Sequence, residues 1–196
     1  MRSIIAAVTG LFLLQGSTGT PTSPVLESAV DTRTPAYETH TVLMTAYNAV
    51  PEQTDGDPHT TASGAFSDPD IVAARSRDLA GELPFGTVIE IVQKSEGVGR
   101  TCGLPVVEKH LGYRVIADTM HARKRNQIDI LFDQNDTVKV GEKQVNPAVA
   151  FGICKNVEIR VVGYVEIKNM PKSQAALRVA IGHLRTPEAQ FLAIKK

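Results

Sequence analysis

The chain has 196 residues, 42% of them hydrophobic, which suffices for one substantial core and makes a single domain the default. Twenty-one basic residues offset 21 acidic ones, so no net field draws the protein to nucleic acid or to an anionic membrane. Tryptophan is absent and aromatics make up only 5%, so stacking platforms are few: Tyr47, Phe85, Tyr113 and Phe132.

The N-terminus comes first. Met1-Arg2 is a short basic start, Ile4 to Leu14 is apolar apart from Thr9 and Gly10, and Ser17-Thr18-Gly19 supplies small residues. This pattern predicts a secretory signal peptide over residues 1–19, with an uncleaved N-terminal anchor as the alternative. No cysteine follows the apolar run, which argues against a lipoprotein anchor. Residues 20–40 carry Ser, Thr and Pro without apolar periodicity and read as a flexible linker. The expectation is an exported monomer, periplasmic or extracellular, with no stable membrane insertion after signal cleavage.

Strands are predicted over Thr41–Ala46, Val88–Val92, Tyr113–Ala117, Ile128–Phe132 and Val157–Ile167. Short strands separated by Gly and Pro turns indicate a small barrel or sandwich. Pro147 to Gly152 reads as a brief helical turn. From Ser173 to Lys196, Leu177, Ile181 and Leu184 fall at helical spacing, and Thr186-Pro187-Glu188 looks like a helix start. That tail, residues 169–196, is expected to cover a sheet edge. There is no internal repeat. In an oxidising compartment Cys102 and Cys154 are expected to pair, fastening the hairpin around Gly99–Gly103 to the turn before the last strand.

The chemistry concentrates in two aspartates. Asp118 ends the strand that carries Val115 and Ile116, and Asp129 interrupts Gln127-Ile128-Asp129-Ile130-Leu131-Phe132. Within that run Ile128, Ile130 and Phe132 share one face, and Asp129 and Leu131 the other. Asp118 read alone is as consistent with a turn cap as with a functional group. Asp129 must be solvated, hydrogen-bonded or functional, since an unpaired buried charge is very costly. If the two strands fold back on each other, both carboxylates face one groove, as in enzymes that cleave glycosidic bonds. The turn between them carries His121, Arg123, Lys124 and Arg125, which reads as a solvated face or as an anion contact. Asp55-Gly56-Asp57-Pro58-His59 lacks the remaining ligands of a calcium loop, and His59, His110 and His121 lack zinc spacing, so no metal is expected. Ser63-Gly64 does not form a nucleophile elbow.

Five segments in order resemble the 3D-domain proteins, named for three aspartates, a family related to the catalytic barrel of the MltA-type lytic transglycosylases. They are Met44-Thr45-Ala46-Tyr47-Asn48, Thr60-Thr61-Ala62-Ser63-Gly64, Arg77-Asp78 with Leu83-Pro84-Phe85-Gly86-Thr87, Ile116-Ala117-Asp118-Thr119, and Ile128-Asp129-Ile130. One departure stands out. Active members follow the second aspartate with a glycine-rich turn and a lysine, whereas here Thr119 to Asn126 contains no glycine. The resemblance implies a mainly β fold, a six-stranded double-psi β-barrel over residues 41–168 with a short C-terminal helical extension. It implies cleavage of the bond between N-acetylmuramic acid and N-acetylglucosamine in peptidoglycan, with release of a 1,6-anhydro product and no cofactor. Asp129 would be the acid/base, with Asp118 and Asp78 completing the catalytic trio. Tyr47, Thr61, Ser63, Thr119 and Arg123 would contact the glycan. The alternatives are a non-catalytic glycan-binding barrel at the cell wall and a plain secreted scaffold.

Overall fold

The computed structural model describes residues 37–54, 56–92 and 102–184. The expected signal peptide, most of the expected linker, the expected helix start at Thr186 and residues 93–101 of the predicted hairpin lie outside the described residues. Among the described residues, no helix is long and apolar enough to cross a membrane.

The described residues form eight strands: β1 (Thr39–Asn48), β2 (Val72–Arg75), β3 (Thr87–Val92), β4 (Tyr113–Thr119), β5 (Gln127–Phe132), β6 (Val138–Val140), β7 (Lys143–Val145) and β8 (Cys154–Tyr164). Six of them close into a barrel in the order β1-β5-β2-β4-β3-β8, and β6 and β7 form a separate hairpin. The mainly β, six-stranded barrel expected from the sequence is therefore present. Two pairings are parallel, β1 with β5 and β2 with β4.

Among the described residues there are also three α-helices: α1 (Leu104–Val107), α2 (Pro147–Phe151) and α3 (Gln174–Leu184). The helical turn expected at Pro147 is α2, whose Asn146 side chain caps the Ala148 N–H at 2.9 Å. The last strand stops at Tyr164 instead of running to Ile167, where a 3-10 turn over Ile167–Asn169 takes over. The barrel closes on itself and leaves no free edge, so α3 packs on its outer wall and covers no edge.

Strand alternation separates two apolar clusters. Val42 and Met44 of β1, Ala73 of β2, Ile89 of β3, Ile116 of β4, Ile128 and Ile130 of β5, and Ile159 of β8 belong to one cluster, the barrel interior. The opposite strand faces give Tyr47, Val72, Ala74, Val88, Val115, Ala117, Leu131 and Val162, which pack with Leu177 and Ile181 of α3. Full burial of one such aliphatic side chain contributes roughly 1.5–3 kcal/mol. Gln174 latches α3 to the wall: its Oε1 accepts from the Tyr113 N–H, and its Nε2 donates to the Tyr113 and Asp70 carbonyls.

The cysteines are joined, Cys102 to Cys154, with Cα atoms 4.7 Å apart and a separation of 52 positions in sequence. A bridge closing a loop of that length contributes about 4 kcal/mol on the chain-entropy estimate. Cys154 is the first residue of β8, so the bridge ties α1 directly to the barrel wall. At Gly103 an added Cβ would strike the Ala150 carbonyl oxygen, which explains a glycine next to the bridge.

Candidate active site

The site begins with one row across the wall. Thr45 of β1 is in register with Asp129 of β5, Asp129 with Ala74 of β2, and Ala74 with Asp118 of β4. The sequence reading paired β4 with β5 directly, but β2 lies between them. The two aspartates therefore stand two strand spacings apart, roughly 10 Å between backbones. Ala74 is the smallest side chain that can sit between them, and it leaves the space above it open.

Asp118 reaches this face through an irregularity. The β2–β4 register passes from Ala73↔Ile116 to Ala74↔Asp118, so Ala117 and Asp118 together oppose one residue. This is a β-bulge, a device that re-aims a side chain. Regular pairing would have matched Asp118 to Arg75 and turned it to the other face. Once re-aimed, Asp118 accepts from the Tyr47 hydroxyl at 3.0 Å, the Ala62 N–H at 2.9 Å and the Thr119 N–H at 2.8 Å. Burial, chiefly, and the neighbouring Asp118 push the Tyr47 hydroxyl far above the usual phenol range. Tyr47 is thus a hydrogen-bond donor fixed to Asp118 and not a free stacking surface.

Asp129 is held differently. Its Oδ1 accepts from the Thr45 hydroxyl at 2.7 Å, and the Gln127 Nε2 donates to that same Thr45 oxygen at 2.8 Å. The glutamine thereby orients the threonine proton toward the carboxylate. Oδ2 has no hydrogen-bond partner among the described residues. Burial raises the Asp129 carboxyl to about 6, aided by the charge of Asp118 and opposed by the Thr45 bond and by Lys124.

Asp78 does not join this pair. It lies in the 3-10 turn Arg77–Ala80, exposed, and its Oδ2 accepts from the Asn126 N–H at 2.9 Å. That bond, above all, lowers its acidity range below the usual carboxylate value. Asn126 has φ +44°, so Asp78 pins the left-handed residue just before β5. Its place is behind the site, holding the turn that leads to Asp129.

The groove above the row has a volume of about 720 Å³, and Tyr47, Ala74, Phe85, Asp118 and Asp129 are among its lining residues. Of the glycan contacts expected from the sequence, Tyr47, Thr119 and Arg123 line it. Thr61 and Ser63 do not. Their hydroxyls bond each other at 3.0 Å, and Thr61 also donates to the Ala65 carbonyl, closing the turn that offers the Ala62 N–H to Asp118. Of the four aromatic candidates, Phe85 is in the groove with Arg75 stacked on it at 4.9 Å, whereas Phe132 is buried in the barrel and Tyr113 lies below α3. The segment around Asp57 forms a local turn, with Asp57 Oδ1 accepting from the His59 N–H at 2.9 Å; Asp55 is outside the described residues. Among the described residues, no group of His, Cys, Asp and Glu is placed to hold a metal ion.

Sequence reasoning missed Ala74, and quoted Thr45 and Gln127 only as parts of longer motifs. Thr45 and Gln127 meet Asp129 through strand pairing, and the only sequence signal is a polar residue at the Asp129 side of each strand. Comparison with protein-family models and with curated proteins gives no match.

Proposed function

We propose that the groove is the active site of a peptidoglycan lytic transglycosylase. The observation that carries this reading is a carboxyl raised to about 6, with one oxygen held by Thr45 and the other open to the groove. A general acid works best when its pKa lies near ambient pH. Asp129 would give its proton to the glycosidic oxygen as the bond from the muramoyl anomeric carbon breaks. The resulting carboxylate would then take the proton of the muramoyl 6-hydroxyl, whose oxygen closes on the same carbon. The product is a 1,6-anhydro sugar, and Asp129 ends protonated as it began. Asp118, in the same row, would stabilise positive charge developing on the ring and keep the Asp129 proton in place. Export to the periplasm or cell wall belongs to the same proposal, since the substrate is there.

The test is incubation with purified peptidoglycan and mass spectrometry of the soluble products. Wild type is expected to release anhydromuropeptides, and Asp129→Asn to reduce release by about a hundredfold or more. Reducing-end products would replace the transglycosylase by an ordinary hydrolase. No release, with the folded protein still pelleting with the polymer, would leave a non-catalytic glycan-binding barrel.

A further inference from the structure

Five cations surround the β4–β5 turn, and they divide sharply. Arg75 is buried, with its Nε on the Leu83 carbonyl, its Nη1 on the Ser76 carbonyl and its guanidinium over Phe85. Arg125 folds back on the Ala122 and Lys124 carbonyls of its own turn. Both are spent on structure. Arg77, Arg123 and Lys124 all line the groove, and none has a side-chain hydrogen bond or a contact ion pair among the described residues. Arg77 comes from a different segment, yet it is fixed beside the turn. The Ser76 N–H donates to the Gln127 carbonyl at 2.8 Å, the Ser76 hydroxyl accepts from the Gln127 N–H, and Asp78 accepts from Asn126.

Three cations from two segments line a groove that Glu52, Asp57, Asp118 and Asp129 also line, yet among the described residues none of the three is in contact with a carboxylate, and neither stability nor solubility explains that. Like charges held together repel, and exposed ones contribute little. An incoming anion would satisfy them with charge-assisted hydrogen bonds. From Arg77, Arg123 and Lys124 we infer an anion subsite that selects carboxylate-bearing glycans over neutral ones. The inference rests on the proposed glycan-cleaving reading and narrows its substrate. The carboxylate has two possible sources on such a polymer, the lactyl ether of the sugar and the peptide stem attached to it. Both present the same chemistry to the wall.

Lys124 also links this subsite to the candidate acid, because its charge holds the Asp129 carboxyl down. An anion bound at Lys124 offsets that charge and favours the protonated acid in the complex.

The experiment measures binding of the whole protein to three probes: neutral chitohexaose, glycan strands stripped of peptides so that lactyl carboxylates are free, and intact muropeptide strands. Wild type is expected to bind a carboxylate-bearing strand about tenfold or more tighter than chitohexaose, with the preference shrinking as salt rises. The combined variant Arg77→Gln, Arg123→Gln, Lys124→Gln should lose that preference while retaining its circular dichroism and melting temperature. Stronger binding of stripped strands assigns the lactyl carboxylate, and stronger binding of intact strands assigns the stem. Equal affinity for chitohexaose and both anionic strands overturns the inference, as does a preference that persists in the variant. Asp129→Asn should keep the preference and release no product. If wild type prefers anionic strands but cleaves none of them, the catalytic reading fails and the subsite stands.

Discussion

Arg114 inside the wall and Asp129 at the groove are both withdrawn from water, and they are treated in opposite ways. Arg114 is fully buried, yet its guanidinium donates to the carbonyls of Leu111, Pro69, Leu131 and His110 and stacks over Phe132 at 5.5 Å. Burial still lowers it to about 10, so it remains a cation at neutral pH. Among the described residues, Asp129 has a single hydrogen bond, and its second oxygen has none. A buried charge used for structure is saturated with partners. One available for chemistry is left short of them, and its pKa records the shortage.

Substitution at each position should sharpen that contrast. Arg114→Met strands four backbone carbonyls in the interior, and chemical denaturation should show a loss of about 4 kcal/mol. A loss below about 1 kcal/mol would mean that the carbonyls find other donors and that Arg114 is not a structural knot.

Asp129→Asn should act in the other direction on stability. The folded carboxyl is raised to about 6 from 3.8, so the folded state holds its proton where the unfolded chain has lost it. Its contribution is fully present below pH 3.8 and is lost as pH rises through 6. At pH 7 the asparagine variant should therefore be more stable than wild type by about 3 kcal/mol, with the difference vanishing near pH 4. Melting curves of both proteins across that range decide it. A constant difference would mean that Asp129 titrates normally.

The smallest effect belongs to the partner of Asp129. Thr45→Val removes the hydrogen bond that favours the charged carboxylate, so the acid should titrate higher by roughly half a unit to one unit. In the pH profile of product release, the descending limb should move to higher pH by that amount. An unmoved limb would mean that Thr45 only packs.

These contrasts were unevenly legible in the sequence. Asp129 announces itself because it breaks an apolar alternation, and that alternation is real: Ile128 and Ile130 point into the barrel and Leu131 points out with Tyr47. Strand β2 was not legible, since Val72-Ala73-Ala74-Arg75 is short, buried on both faces and without alternation. Without β2 the reading placed β4 beside β5 and could not find Ala74 between the carboxylates. Nothing in the sequence singles out Arg114, because the carbonyls that hold it are assembled only by the fold. The same limit applies to the five cations near the turn. Composition cannot distinguish Arg125, which is occupied by its own backbone, from Arg123, whose side chain has no hydrogen bond among the described residues.

The bulge at Ala117–Asp118 turns chain length into orientation. Were β4 to pair regularly with Ala117 kept in the ladder, Asp118 would stand opposite Arg75 and point to the side of Ile116, among Ile128 and Ile130. Deleting Ala117 would instead leave Asp118 opposite Ala74 and on the groove face, because the extra residue is what the bulge absorbs. A register that slips by one residue, with no side chain changed, would thus empty the groove of one carboxylate and lodge it in the core. Counting residues between the strands matters here as much as naming them.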